Sequence, residues 1–299
     1  LYGILLAYRA TGDQRYIDYA EDWCDTYLER YYEKRTVNTT VPFLTAIELC
    51  QILKTDKYKA ICTDVAEYLL NDAPKTLRGG LEHTVIQPVP AFREQLWADT
   101  LFMAGLFLLK MGRYEEKFTD FAVEQFILHN QLLFDEKNGL YFHGYSCLRN
   151  DHLSGIHWGR ANAWVILSNS YLIELLGDFK EKNMICGYIR KHAEGLLQVL
   201  REDGSFGTIL DDSTSYSETS ATAGIAAGMK KAVELGILGD EYRQAYDRMM
   251  QFIIHKISSD GTVEGVSEGT PIMESAEGYR TIPVSSALYG QSLAIAAML

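Results

Sequence analysis

Apolar residues in this chain fall into runs at helical spacing, and the runs alternate between two kinds. LYGILLAY, FLTAIELCQIL, LWADTLFMAGLFLLKM, ANAWVILSNSYLIELL and SATAGIAAGMKKAVELGIL are apolar nearly all round, as helices buried on every side require. The runs that follow them, such as YIDYAEDWCDTYLERYYE and EYRQAYDRMMQFIIHKI, carry charges along one face. That is the pattern of a helix with half its surface in water.

One short signature joins the two members of each pair. It stands as TGDQRYIDYA from Thr11, KTDKYKAI from Lys54, MGRYEEKF from Met111, LGDFKEKN from Leu176 and LGDEYRQAY from Leu238. Each has a turn residue or two, a charge, and an aromatic that opens the next run. This reads as a tight turn between antiparallel helices, repeated at about 40 to 65 residues. A sixth apolar run, SSALYGQSLAIAAML, ends the chain without a partner. LYGILLAY already reads as helix interior, so the missing partner is expected ahead of Leu1. The pattern predicts an all-α fold: an (α/α)6 barrel of six hairpins over 1–299 as a single domain, its N-terminal outer helix missing.

The connections from each outer run to the next inner one are longer and richer in Gly, Ser, Asp and Asn. They span roughly 30–41, 71–96, 134–159, 201–217 and 258–284. With alternating helix direction they all fall on one face. That face also presents the N-terminal ends of the inner helices, whose free N–H groups favour an anion. A site is expected there, with a carboxylate ligand.

Composition narrows the function. A formal net charge of −12 disfavours nucleic acid as a partner and leaves no basic face for a membrane. No apolar run reaches the length of about 18 residues that a membrane span needs. The five cysteines are odd in number and form no CxxC pair. Neither a zinc site nor a disulfide framework is expected, and a reducing, cytoplasmic location is the simpler reading. There is no HExxH, no GxGxxG before a helix, no GxxxxGK and no GxSxG, so neither metal nor cofactor is expected.

Two segments gather chemistry where long loops enter inner helices. GGLEHTVIQPVPAFREQLWADTLFMAG holds His83, Trp97 and Asp99; GLYFHGYSCLRNDHLSGIHWGRANAWVIL holds His143, His157, Trp158, Arg160, Asn162 and Trp164. Three of the four tryptophans lie at these two entrances, and aromatic walls with a few polar groups suit sugar rings. Asp99, about one turn inside an apolar helix, has two open readings. It is a helix-start acid, or a carboxyl beside Trp97 in a dry pocket, its pKa raised so that it delivers a proton. Arg160 either pairs with Glu218 or Asp99, or grips a substrate carboxylate. His83 and His143 are structural histidines or pocket donors. Glu218, in SETSATAG, reads as a helix-start residue ahead of a second acid, and the many tyrosines, mostly in outer helices, read as packing.

EQLWADTLFMAG, HWGRANAWVIL and the terminal EGTPIMESAEGYRTIPVSSALYGQSLAIAAML resemble the unsaturated rhamnogalacturonyl hydrolases, glycoside hydrolase family 105. The likeness covers essentially the whole chain and extends more loosely to unsaturated glucuronyl hydrolases. It implies one glycoside hydrolase domain acting on a small anionic oligosaccharide, with hydration of a 4,5-unsaturated uronate. The family's acid matches Asp99 and its aromatic neighbour Trp97. The pocket histidine ahead of that motif matches His83, across a longer intervening loop. The later histidine matches His143, and the Trp–Arg–Trp set matches Trp158, Arg160 and Trp164. Many members carry an aspartate at the start of the second inner helix, where this chain reads RTVNTTVPFL. The resemblance implies that Asn38 or a neighbour takes that place as a binding group.

Overall fold

A computed structural model describes residues 1–86 and 92–299. Five helical hairpins follow one another: α1 (Tyr2–Thr11) with α2 (Gln14–Tyr32), α3 (Val41–Leu53) with α4 (Lys59–Glu67), α5 (Leu106–Met111) with α6 (Glu116–Leu133), α7 (Gly159–Leu176) with α8 (Lys182–Val199), and α9 (Thr219–Glu234) with α10 (Arg243–His255). A short α11 (Ala276–Arg280) lies in the last long connection, before α12 (Leu288–Met298). The inner helices α1, α3, α5, α7, α9 and α12 touch in that order, and α12 returns to α1. The ring is closed, as an (α/α)6 barrel requires. α7 is buried without interruption from Gly159 to Ile173, whereas α10 buries only Ala245, Met249, Phe252 and Ile253. The two kinds of apolar run are thus inner and outer helices.

The first tight turn shows how the joining signature works. Gly12 takes the left-handed conformation (φ 69°), and its N–H closes α1 on the Tyr8 carbonyl. Asp13 then caps α2 by accepting from the Arg15 N–H at 3.0 Å. An ionic tie lies among the inner helices: Glu48 of α3, fully buried, meets Lys110 of α5 at 2.9 Å and Arg9 of α1 at 2.5 Å. Glu48→Gln keeps the shape and drops the charge between two cations. It should cost about 2 kcal/mol, read as a lower denaturant midpoint with an unchanged slope.

The long connections carry three two-stranded antiparallel ribbons, of which the first joins two different connections, and they also touch directly. The ribbons are β1 (Gln95–Trp97) with β4 (Gly144–Ser146), β2 (Phe134–Asp135) with β3 (Leu140–Tyr141), and β5 (Val266–Ser267) with β6 (Val284–Ser285). The Asn38 N–H reaches the Thr84 carbonyl at 3.1 Å, and the Gly159 N–H reaches that of Thr208 at 2.9 Å. Arg280 holds Asp212 at 2.6 Å.

The third inner helix departs from expectation. Its apolar run was expected to be helical through Trp97 and Asp99. Instead Trp97 lies in β1 opposite Gly144, and the Ala98 N–H donates to the His143 carbonyl at 3.0 Å. This pairing takes the backbone groups a helix would have used. Helical bonding begins only at the Asp99 carbonyl, and a π-turn over Leu101–Gly105 precedes α5.

A second polar group inside the barrel sets a pH response. Asn162 accepts from the Tyr141 N–H at 2.8 Å, donates to the Tyr141 and Trp158 carbonyls, and faces Nε2 of His192 at 3.0 Å. Burial depresses His192 to about 3, and likewise His83 and His129 to about 4. Their folded values lie below the unfolded one. The stabilisation is therefore complete above about pH 6.5 and is lost as pH falls through the folded values. His192→Gln keeps a donor but does not titrate. It should flatten the acid-side slope of stability between pH 6 and 4 by roughly 1 kcal/mol per pH unit, measured by urea unfolding at stepped pH.

Candidate active site

β1 and β4 bring the two chemistry-bearing segments together. Glu82 accepts from the Glu94 N–H at 2.8 Å, and the His83 N–H donates to the Gln95 carbonyl at 3.2 Å. These bonds lay the His83 imidazole flat on Trp97, centroids 4.5 Å apart and 4° from parallel, with its Nδ1 3.2 Å from the Thr100 hydroxyl. Trp97 meets His143 edge-on at 5.3 Å. Asp99 follows two residues later. Its Oδ2 lies 3.4 Å from Nε2 of His143, and its side chain keeps 13% exposure where His143 keeps 1%. Apart from this approach to His143, Oδ2 has no hydrogen-bond partner, and no helix N–H donates to this carboxylate among the described bonds, so helix capping does not account for it.

The electrostatics correct one expectation. Burial does push the Asp99 carboxyl up, as expected of a proton donor. The hydrogen bond and charge of His143, the charge of His83 and that of Arg160 outweigh it and hold the carboxyl below its usual range. In the free protein Asp99 is a carboxylate. His143 is itself lowered, burial outweighing the attraction of Asp99.

Arg160 opens α7 with its guanidinium stacked on Trp158 at 4.4 Å and on Tyr289 at 4.6 Å. Nη1 donates to the Ser267 carbonyl at 2.8 Å and hydroxyl at 2.5 Å and to the Ser220 hydroxyl at 3.2 Å. Nη2 donates to the Glu268 carbonyl at 2.8 Å and approaches the Thr270 hydroxyl at 3.4 Å. Glu218 is 3.9 Å away. The expected ion pair with Glu218 is present at this longer distance, while the closer bonds leave no open carboxylate grip: the side chain fastens the 267–270 segment. Glu218 is the helix-start residue its position suggested, accepting from the Ser220 N–H at 3.1 Å, the Ala221 N–H at 2.6 Å and the Ser267 N–H at 2.9 Å.

Trp164 and Asn38 stand apart from the Asp99 cluster, on a cavity of about 390 Å³ bordered also by Phe102, Met103, Tyr289 and Ser292. The Trp164 ring lies 4.5 Å from Phe102, three residues beyond Asp99, and Tyr289 stacks on Arg160. The cavity therefore adjoins the cluster. Its volume suits a small ligand, and its described lining has no charged side chain. Asn38, in a single 3-10 turn (Asn38–Thr40), is exposed there. His157 and Asn162 stay out of the cluster. The first bridges Asp211 and Asp135 at 2.9 and 3.2 Å, and the second serves the network around Tyr141.

Two tyrosines escaped the reading of tyrosines as packing. Tyr279 is fully buried in α11 with its hydroxyl 2.7 Å from Nδ1 of His143, and Tyr289 covers Arg160 and donates to the Ser267 carbonyl. The one signal for them was position: both lie in or just after the last long connection rather than in an outer helix. No group of three or more His, Cys, Asp or Glu suited to a metal ion occurs among the described residues.

The sequence pattern that defines Glycosyl Hydrolase Family 88 matches residues 1–299. Over 298 residues the chain is 36% identical to the unsaturated rhamnogalacturonyl hydrolase YesR of Bacillus subtilis (strain 168), covering 98% of this chain and 85% of that protein. Two solved structures, described as possible members of the GH105 family, are similar throughout. That from Salmonella enterica serovar Paratyphi A has a TM-score of 0.95 at 32% identity, over 99% of this chain and 79% of that one. That from Klebsiella pneumoniae has a TM-score of 0.94 at 30% identity, with the same coverage.

Proposed function

The chain belongs to Glycosyl Hydrolase Family 88, and from that premise we propose that it releases a 4,5-unsaturated uronic acid from the non-reducing end of lyase-generated oligosaccharides, with Asp99 as the reacting carboxyl. One observation carries the assignment of Asp99: a carboxylate whose side chain keeps 13% exposure, one oxygen met only by His143 at 3.4 Å, walled by His83, Trp97 and His143. The name of the Bacillus relative supports an unsaturated galacturonyl-rhamnose disaccharide as substrate.

The ring oxygen makes the substrate's C4=C5 bond a vinyl ether. Its electron pair takes a proton at C4 from Asp99, and the ring oxygen stabilises the cation left at C5. Water adds at C5 and returns its proton to the Asp99 carboxylate. The hemiketal then collapses to a C5 ketone as its bond to the ring oxygen breaks, and the hemiacetal left at C1 expels the aglycone. One carboxyl serves both steps, so the paired-carboxylate spacing of ordinary glycosidases is not needed. Asp99 is ionised in the free protein and must first gain a proton. An anionic uronate arriving beside it, with water excluded, raises its pKa in the required direction. His83, Trp97 and Trp158 form walls for the sugar, while Asn38 and Trp164 bind from the adjoining cavity.

We take residues 1–299 as one domain because the inner ring runs unbroken from α1 to α12. No described helix is long and apolar enough to cross a membrane, and five free cysteines support a reducing, cytoplasmic setting. Incubation with unsaturated galacturonyl-rhamnose, following loss of the double bond's ultraviolet absorbance, should show turnover. Hydrolysis of a saturated glycoside at an equal rate would rule out hydration.

A further inference from the structure

We propose that Tyr279 is a positioning residue of this site: its phenol donates to Nδ1 of His143 and so fixes the imidazole tautomer whose Nε2–H faces Asp99. The inference rests on Asp99 being the reacting carboxyl.

The two nitrogens of His143 have one close neighbour each. Nδ1 is 2.7 Å from the Tyr279 hydroxyl, and Nε2 is 3.4 Å from Oδ2 of Asp99. The ring is held by Trp158 at 4.3 Å, Trp97 at 5.3 Å and Tyr279 at 5.7 Å, so it cannot turn over without moving all three. Burial keeps the imidazole neutral at ordinary pH, which leaves it a single N–H. A carboxylate can only accept. A proton on Nδ1 would set the bare Nε2 against an ionised oxygen in a buried site, two lone pairs facing each other. With the proton on Nε2, Nδ1 becomes an acceptor and needs a donor. Tyr279 is a suitable one, because burial raises its phenol to about 12 and keeps it protonated. Its own position is held from both sides. Arg280, the next residue, clasps Asp212 at 2.6 and 2.9 Å, and Met273 packs so closely on Gly278 that an added Cβ would lie 2.8 Å from it.

The direct test is the tautomer. With 15N-histidine in the intact protein, the His143 signal is identified by its loss in His143→Gln among the seven histidines. It should report a proton on Nε2. In Tyr279→Phe, which keeps the ring and removes the donor, that signature should give way to a mixture. Turnover of the unsaturated disaccharide should fall about tenfold, the worth of one buried hydrogen bond, with KM within twofold. Replacing tyrosine by 3-fluorotyrosine keeps the hydroxyl and should leave both readouts native. A proton on Nδ1 in the native protein overturns the proposal even where Tyr279→Phe fails to fold. So does a folded Tyr279→Phe with native tautomer and native kcat. Activity retained in Asp99→Asn would instead remove the functional reading and leave the tautomer result standing.

Discussion

Replacing Asp99 by asparagine is expected to cut turnover of an unsaturated uronide by about a thousandfold, within the range that general acid–base groups contribute. Asparagine has the same shape and accepts from His143 through its amide oxygen, but it has no proton to give to C4. The unfolding transition should stay close to native, because no helix N–H depends on this carboxylate. Disaccharide binding, measured by calorimetry, should persist. Turnover within a few-fold of native would remove Asp99 from the chemistry, whereas lost binding with native stability would make it a substrate ligand alone. The native enzyme carries a matching pH signature. The free carboxyl lies below its usual range, so kcat/KM should decline as pH rises over the interval where the acid form becomes rarer.

The barrel was legible because its signal is local. Runs such as ANAWVILSNSYLIELL can hide from water only inside a ring, and TGDQRY contains both the glycine that ends one helix and the aspartate that starts the next. The entrance to the third inner helix was not legible. LWADTLFMAG has helical spacing, and nothing within it announces that Gly144–Ser146 will arrive to pair with Gln95–Trp97. That pairing moves Asp99 from a helix interior to the turn beneath a strand, which opens its carboxylate toward solvent. The identities of Asp99, His83, Trp97 and His143 could be listed from their neighbourhoods. The protonation of Asp99 could not, because it depends on how closely His143, His83 and Arg160 approach. Tyr279 was invisible for a similar reason. An aromatic between a glycine and an arginine in a long loop has no periodicity to mark it, and its role follows from a contact 136 residues away.

Arg160 is where geometry most changes the expected consequence of a mutation. A guanidinium that gripped a substrate carboxylate would be a ligand, and its loss would raise KM with little effect on stability. Here the buried charge faces the carbonyls of Ser267 and Glu268 and three hydroxyls, between the rings of Trp158 and Tyr289. A carboxylate could take either Nη group only by displacing bonds that hold the last long connection against α7. Arg160→Met should therefore destabilise the protein by about 3 kcal/mol or more, since the oxygens that lose their donor stay buried. It should also lower kcat, because the 267–270 segment that Arg160 fastens is released. Chemical denaturation and steady-state kinetics on the same preparation separate the two roles. Native stability with a large rise in KM and unchanged kcat would restore the carboxylate-binding role. A joint loss of stability and kcat means that Arg160 acts on the reaction through the loop it fastens.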